Sequence, residues 1–92
     1  KAKVFEFDKN IRRIEDLKAG MRLPGLVSNI TNFGCFVDVG VKQDGLIHIS
    51  NMADRFISDP NEIVSLNEAV EVEVLEVDAA RKRIGFRLIN HD

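Results

Sequence analysis

The sequence predicts an all-β protein: a five-stranded antiparallel Greek-key barrel with a short helical insertion between strands three and four. Five runs rich in Val, Ile and Phe are separated by turn-forming residues, whereas an open sandwich needs about seven strands. Several of these runs break strict alternation, as strands do where they bend around a small barrel. With 92 residues, of which 45% are hydrophobic and 30% charged, the chain has enough material for one core.

Residues 1–20 precede the first strand and are predicted to form an N-terminal linker or tail. Residues 1–13 mix charged and apolar side chains without a period, so we expect them to add little to the barrel. Residues 14–20 are predicted to form one helical turn, which Gly20 closes. The chain begins with Lys rather than Met, so we expect it to be a fragment of a longer protein. Its first residues lack the apolar stretch of a signal peptide.

The barrel is predicted to occupy residues 21–89, with residues 90–92 as a C-terminal tail. The predicted strands are residues 21–31, 33–40, 45–50, 69–78 and 82–89. In the connection between the third and fourth strands, Pro60 ends any preceding helix, and Ser58 or Asp59 can cap a short turn that begins there. Five strands with an insertion after the third are the layout of an OB-type barrel.

The apolar positions predict which side of each strand faces the core. Val74 and its next apolar partner, Val77, are three residues apart, and Val27 and Ile30 have the same spacing. A spacing of three on one face requires a β-bulge or a bend. The residues predicted to be buried are Cys35, Val37, Val39, Ile47, Ile49, Val72, Val74, Ile84, Phe86 and Leu88.

The sequence contains no motif that supports an enzyme, a metal site or a cofactor site. There is no phosphate-binding glycine loop and no Gly-x-Ser-x-Gly, and the spacing of Cys35, His48 and His91 is not that of a zinc motif. Cys35 is expected to face the core as a small hydrophobe. No apolar run approaches the roughly 18 residues of a membrane helix, and a single cysteine fits a reducing compartment. We therefore expect a cytoplasmic protein with no membrane partner.

Outward-facing side chains on the second and third strands are candidates for contact with nucleic acid. If Cys35 faces the core, Phe36 faces outward, and a bulge at Gly34 brings Phe33 to the same face. His48 alternates with inward-facing isoleucines and is expected on that face too. Exposed aromatic rings stack on bases of any identity. The alternative is that the loop of residues 51–68 or the N-terminal tail covers one or both phenylalanines.

Charge is distributed unevenly along the chain. Residues 23–80 carry a formal charge of −8, whereas the segments before and after them carry +3 each. On the last strand Arg83 and Arg87 are predicted to face outward, where they are well placed to contact phosphates. Lys82 is interpreted as a solvated residue that discourages strand pairing. A cationic edge can therefore coexist with an anionic body.

Four segments carry a resemblance to a known family. They are Gly25-Leu26-Val27-Ser28-Asn29-Ile30, Phe33-Gly34-Cys35-Phe36-Val37-Asp38, Asp44-Gly45-Leu46-Ile47-His48-Ile49-Ser50 and Val74-Leu75-Glu76-Val77-Asp78. In this order and spacing they resemble the S1 domain, an RNA-binding module with a five-stranded OB barrel. The residues that the resemblance implies for an RNA surface are Phe33, Phe36, His48, Asp78 and Arg83. Arg81 is the alternative cation to Arg83, because the loop before the last strand varies in length.

A narrower resemblance covers the segment before the barrel and the insertion. Residues 5–8, 14–20 and 53–60 resemble the C-terminal S1 domain of the Tex family of bacterial transcription accessory proteins. This resemblance implies a module that binds nucleic acid without strong sequence preference inside a larger transcription-associated protein.

The function predicted from these observations is binding of single-stranded RNA, with single-stranded DNA as an alternative, and no catalysis. The residues expected to carry it are Phe33, Phe36, His48, Asp78, Arg81, Arg83 and Arg87. Other domains of the parent chain and the transcription or translation machinery are the expected protein partners. The rival hypothesis is a protein-interaction module that docks a polymerase, a ribosome or a neighbouring domain through the exposed aromatic patch. A hydrolytic or nuclease accessory domain is a second rival.

Overall fold

Five strands close into a barrel in the computed structural model, which describes residues 5–53 and 55–89. The strands are β1 (Arg22–Thr31), β2 (Gly34–Asp38), β3 (Gly45–His48), β4 (Ala69–Asp78) and β5 (Arg83–Leu88). Around the barrel their order is β1-β2-β3-β5-β4, and β1 pairs with both β2 and β4. The predicted fold class is confirmed.

One pair of neighbouring strands is parallel, although the sequence predicted an antiparallel barrel. In the β3–β5 pair, Leu46 lies opposite Gly85 and Ile47 opposite Phe86. The other neighbouring pairs among the described strands are antiparallel. The long connection after β3 lets β4 pair with β1, and the β4–β5 hairpin then brings β5 beside β3 in the same direction.

Both predicted bends are present in the long strands. The register shifts between Val27 and Asn29 in β1, and between Val74 and Glu76 in β4. Residues 22–26 of β1 pair with β4, and β1 pairs with β2 from Leu26 onward, so the shift lies just after this change of partner. Each bulge therefore lets one ten-residue strand curve around the barrel and pair with two neighbours.

The barrel core contains the predicted residues with one correction. The confirmed core residues are Cys35, Val37, Val39, Ile47, Val72, Val74, Ile84, Phe86 and Leu88. Ile49 is only half-buried, because β3 ends at His48 and the chain enters a 3₁₀ turn at Ile49–Asn51. Fully burying a Phe side chain such as that of Phe86 stabilises a fold by about 1.5–3 kcal/mol.

The segment before β1 packs against the barrel. Ile11, Ile14 and Leu17 are buried within the apolar core, and Ile11 is only 4% exposed. The expectation that residues 1–13 add little to the barrel is therefore wrong for the end of this segment, where Ile11 is part of the core. Residues 1–4 lie outside the described residues. The boundary placed at residue 20 stays a prediction.

The predicted helical turn of residues 14–20 is a short 3₁₀ turn at Ile14–Asp16. Gly20 follows it with a φ of 93°, in the left-handed region that favours glycine. Its N–H donates to the Val74 carbonyl oxygen at 2.7 Å, and the Val74 N–H donates to that of Met21 at 2.8 Å. These two bonds tie the entry of β1 to β4.

The predicted insertion contains a second short 3₁₀ turn at Pro60–Glu62. The Asp59 carboxylate caps it by accepting the Asn61 N–H at 3.0 Å, so Asp59 rather than Ser58 is the capping residue. Ile57 and Val64 are buried on either side and anchor the connection to the core. In the described part of the chain, no helix has the length and apolar character needed to span a bilayer.

Candidate nucleic-acid interface

An open groove on the barrel surface is lined by six of the seven residues predicted for the site. They are Phe33, Phe36, His48, Asp78, Arg81 and Arg83. The groove encloses about 1320 Å³, more than the 300–1,000 Å³ or so of a typical small-molecule pocket. Its size therefore suits a ligand larger than a typical small molecule.

Two phenylalanines form the aromatic part of the groove. Phe33 lies in the turn between β1 and β2 and is 46% exposed, and Phe36 is half-buried on β2. Their ring centroids are 6.3 Å apart, with the ring planes at 87°. Gly34 stands between them, where a Cβ would collide with the carbonyl oxygen of Ile47. This close approach of β2 to β3 requires glycine and keeps the two rings together.

His48 ends β3 opposite Gly34 and is exposed to the groove. Its Nδ1 accepts the Ser50 backbone N–H at 3.2 Å and lies 2.9 Å from the Ser50 Oγ. A ring nitrogen that accepts a hydrogen bond carries no proton, so the neutral ring holds its proton on Nε2. The Nε2–H is therefore available to donate to a ligand.

The turn between β4 and β5 and the first residue of β5 supply the cations of the groove. Arg81, Lys82 and Arg83 all line it. Asp78 accepts the Arg81 backbone N–H at Oδ1, over 3.2 Å, and its Oδ2 lies 3.8 Å from the Arg81 Nε. Asp78 therefore contacts both the backbone of the turn and the guanidinium group of Arg81.

Lys82 lines the groove although it was not predicted as a site residue. Its φ is 58°, in the left-handed region. From the sequence, Lys82 is interpreted as a solvated residue that discourages strand pairing. Short hairpin loops often include a left-handed residue, so the short loop between β4 and β5 is the available signal for this conformation.

Arg87 does not line the groove. Its guanidinium forms an ion pair with the Glu73 carboxylate, which lies opposite it on β4. The arginine faces outward, as predicted, but its charge is already matched. The structure therefore brings six of the predicted residues together and leaves Arg87 outside the groove.

Asp44, Asn51 and Leu75 are among the groove residues that were not predicted as site residues. Asp44 precedes β3, and its Oδ2 accepts the Ser28 hydroxyl at 2.6 Å. Asn51 ends the 3₁₀ turn after β3 and is half-buried. Leu75 lies at the β4 bulge and is 41% exposed. The predicted slip between Val74 and Val77 could have identified Leu75, because a bulge turns one residue outward.

Opposite charges balance within the groove. The acidic groups that line it are Asp44, Glu76 and Asp78, and the cationic groups are Arg81, Lys82 and Arg83. Their formal charges cancel at neutral pH. A polyanion would therefore meet local cations at the turn, without the long-range attraction of a strongly basic surface.

Two other kinds of chemistry, metal binding and thiol reactivity, depend on side chains among the described residues. Residues 5–53 and 55–89 contain no group of three or more His, Cys, Asp or Glu side chains that could hold a metal ion. Burial raises the pKa of the Cys35 thiol to about 11, and the charge of Glu68 contributes to the rise. Cys35 is thus a protonated, buried hydrophobe. His91 lies outside the described residues.

Comparison with known sequences gives consistent matches. The model of the S1 RNA binding domain family matches residues 16–88. The transcriptional accessory protein Tex of Neisseria gonorrhoeae is 55% identical over 82 residues, which are 89% of this chain. Protein tex of Bordetella pertussis is 47% identical over 90 residues, 98% of this chain. The chain spans 11% of the length of each of these relatives. Both resemblances predicted from the sequence are confirmed.

Solved structures share the barrel. The solution structure of GSP13 from Bacillus subtilis superposes with a TM-score of 0.75 at 29% identity, covering 85% of this chain and 58% of that one. RNase R of Mycoplasma genitalium, solved in complex with ribose methylated single-stranded RNA, gives a TM-score of 0.61 at 27% identity. That match covers 77% of this chain and 13% of RNase R.

Proposed function

Because this chain belongs to the S1 RNA-binding domain family, we propose that its groove binds single-stranded RNA with little sequence preference. The observation that carries the proposal is the pair of accessible rings, Phe33 and Phe36, in one groove with three cations at the β4–β5 turn. The domain acts as a binding module of a larger protein and not as a catalyst.

The geometry of the two rings favours a single strand over a duplex. Phe33 and Phe36 are nearly perpendicular, so two bases that stack on them lie in different planes. A flexible single strand can bend between the two stacking positions, whereas paired bases in a helix stay stacked on one another. Each base stacked on an aromatic ring contributes about 1–3 kcal/mol, whatever its identity.

Polar groups beside the rings suit the sugar–phosphate backbone. Arg81, Lys82 and Arg83 can contact phosphates, and Asp78 orients Arg81 for that purpose. The His48 Nε2–H can donate to a phosphate oxygen or a ribose 2′-hydroxyl. OB folds bind oligonucleotides across the second and third strands, where Phe36 and His48 lie, and Phe33 lies in the turn that enters the second strand.

The parent protein is proposed to use this domain as one of several contacts with nucleic acid. Its balanced groove gives the domain alone only modest affinity, and linked modules raise affinity through effective concentration. The relatives named Tex support a role beside transcription. Other domains of the parent chain and the transcription or translation machinery are the proposed protein partners.

Fluorescence anisotropy with a labelled single-stranded RNA tests the proposal. Phe33→Ala should keep the fold, because the ring is exposed, and should weaken binding by about 5- to 100-fold through lost stacking. Phe56→Ala is the matched control, since that ring is 88% exposed and does not line the groove. A folded Phe33→Ala domain that binds RNA as tightly as the unsubstituted domain would refute stacking at this site. A DNA oligomer of the same sequence measures the preference for RNA.

The alternative function is protein docking through the same aromatic pair. Phe33 and Phe36 could anchor a protein interface, but the adjoining cations favour a nucleic acid. The two functions differ in salt dependence, because phosphate contacts release counterions and apolar docking does not. Binding that weakens steadily between low and high salt supports RNA, and binding indifferent to salt supports a protein partner.

A further inference from the structure

Asn51 is a groove residue whose side chain, unlike those of Asp44 and His48, has no partner among the described residues. Within the described chain, no hydrogen bond joins its side-chain amide to another residue. The His48 ring is held by Ser50, and the Asp44 carboxylate by Ser28. Every buried side-chain polar atom of the described residues has a hydrogen-bond partner. Because the Asn51 amide has none, it must be accessible to solvent. Its donor and acceptor groups are therefore free for a ligand.

The 3₁₀ turn at Ile49–Asn51 is hydrogen-bonded to the residue that carries one of the two rings. The Ile49 N–H donates to the Phe33 carbonyl oxygen at 2.9 Å, and the Met52 N–H donates to that of Ile49 at 3.3 Å. These bonds fix the turn to Phe33. The half-buried Asn51 side chain therefore enters the same groove as the proposed stacking site from a turn with a fixed position.

We propose that Asn51 hydrogen-bonds to the edge of a base stacked at this site and that its amide accepts all four bases. The inference rests on the proposed binding of single-stranded RNA. An amide presents a carbonyl acceptor beside an N–H donor. The Watson–Crick edge of each RNA base also presents a donor beside an acceptor. Since rotation exchanges the amide oxygen and nitrogen, Asn51 can match either order.

A carboxylate at the same position would behave differently. It only accepts hydrogen bonds. Adenine, cytosine and guanine carry an exocyclic amino group that can donate to it, whereas uracil has one N–H between two carbonyl oxygens. Asn51→Asp should therefore convert a tolerant contact into one that disfavours uracil. The Asn51 amide is thus proposed to keep base specificity low. A variant that only weakens the binding of every base would not test this role, whereas Asn51→Asp does.

Dissociation constants for short single-stranded oligomers of uridine, cytidine and adenosine test this inference. Asn51→Ala should weaken binding of all three by a similar factor, about 3- to 10-fold, through loss of one or two hydrogen bonds. Asn51→Asp should weaken oligo-uridine about 3- to 10-fold more than oligo-cytidine. Asn32→Asp is the matched control, because it adds the same charge on the turn beside Phe33 at an exposed residue outside the groove.

The outcomes separate this inference from the proposed function. Circular dichroism confirms that each variant is folded before binding is measured. If Asn51→Ala and Asn51→Asp bind the three oligomers like the unsubstituted domain, Asn51 contacts no base, and RNA binding stands without it. If Asn32→Asp gives the same loss of oligo-uridine as Asn51→Asp, the effect is charge alone, and the inference is wrong. If the unsubstituted domain binds none of the oligomers, the proposed function fails as well.

Discussion

Gly45 lies against the ring of Phe86, so close that a Cβ at residue 45 would overlap the ring atoms. Both residues are buried and face the interior, Gly45 at the start of β3 and Phe86 on β5. The ring fills the space that a side chain on β3 would otherwise occupy. Next to this contact, β3 and β5 form the parallel pair that closes the barrel.

Gly45→Ala should therefore destabilise the domain by about 1–3 kcal/mol through overpacking. Phe86→Leu shortens the buried side chain and should reduce the cost of Gly45→Ala, so the two substitutions should not add. Urea denaturation of the two single variants and the double variant measures this coupling. Gly85→Ala is the control, since its Cβ would meet the flexible Glu76 side chain at 3.1 Å. Strictly additive effects of Gly45→Ala and Phe86→Leu would show that the ring is not the obstacle.

The barrel could be predicted because the spacing of apolar residues shows which side chains of each strand face the core and where a bulge interrupts the alternation. The slip from Val74 to Val77 predicted the bulge that the register of β4 and β5 shows. Inward residues such as Val37 and Phe86 followed from alternation alone. Phe33 and Phe36 lie near one another as predicted, but the reason differs. The described register of β2 has no bulge at Gly34, and Phe33 reaches Phe36 from the turn between β1 and β2.

Other features depend on contacts that a local pattern does not encode. Ile49 lies outside β3 because the chain enters a 3₁₀ turn after His48. Ile11 is buried although it belongs to a segment whose sequence has neither strand nor helix periodicity. Lys82 enters the groove through a positive φ, and Arg87 is matched by Glu73 on the neighbouring strand. Predicting any of these four features requires the backbone conformation or the register between neighbouring strands.

Asp16 should make the stability of the domain depend on pH in acid. Its carboxylate accepts the backbone N–H of Arg12 at 3.0 Å and that of Arg13 at 3.1 Å, and these hydrogen bonds lower its pKa below the ordinary 3.8. Because the folded state favours the ionised form, the stabilisation is fully present above pH 3.8. It is lost as the pH falls through the lowered pKa of the folded state.

Asp16→Asn should therefore lower the melting temperature at neutral pH and flatten its decline in acid. Melting curves recorded by circular dichroism from neutral pH down to about pH 2 measure both effects. Glu15→Gln is the control, because it removes a neighbouring exposed carboxylate that makes no hydrogen bond of this kind in the described structure. An Asp16→Asn domain with an acid decline as steep as that of the unsubstituted domain would contradict the prediction.

Lys82→Gly should separate stability from binding. The left-handed φ of 58° is unfavourable for lysine and ordinary for glycine, so the substitution should stabilise the fold by about 0.5–1 kcal/mol. It also removes a groove cation and should weaken RNA binding. Asn67→Gly relieves a similar φ of 67° outside the groove, and it should leave binding unchanged. Urea denaturation and anisotropy on both variants provide the comparison, and tighter RNA binding by Lys82→Gly would exclude a phosphate contact.

Arg83 and Arg87 should differ in their effect on the salt dependence of binding. If the three groove cations each neutralise one phosphate, the slope of log affinity against log salt is about −2 for a single strand. Arg83→Ala removes one of these contacts and should bring the slope to about −1.4. Arg87→Ala should change it less, because the Glu73 carboxylate already matches that charge away from the groove. Lys42→Ala removes an exposed cation outside the groove and controls for net charge. A larger change for Arg87→Ala than for Arg83→Ala would mean that RNA breaks the Arg87–Glu73 pair and runs along β5 instead of the β4–β5 turn.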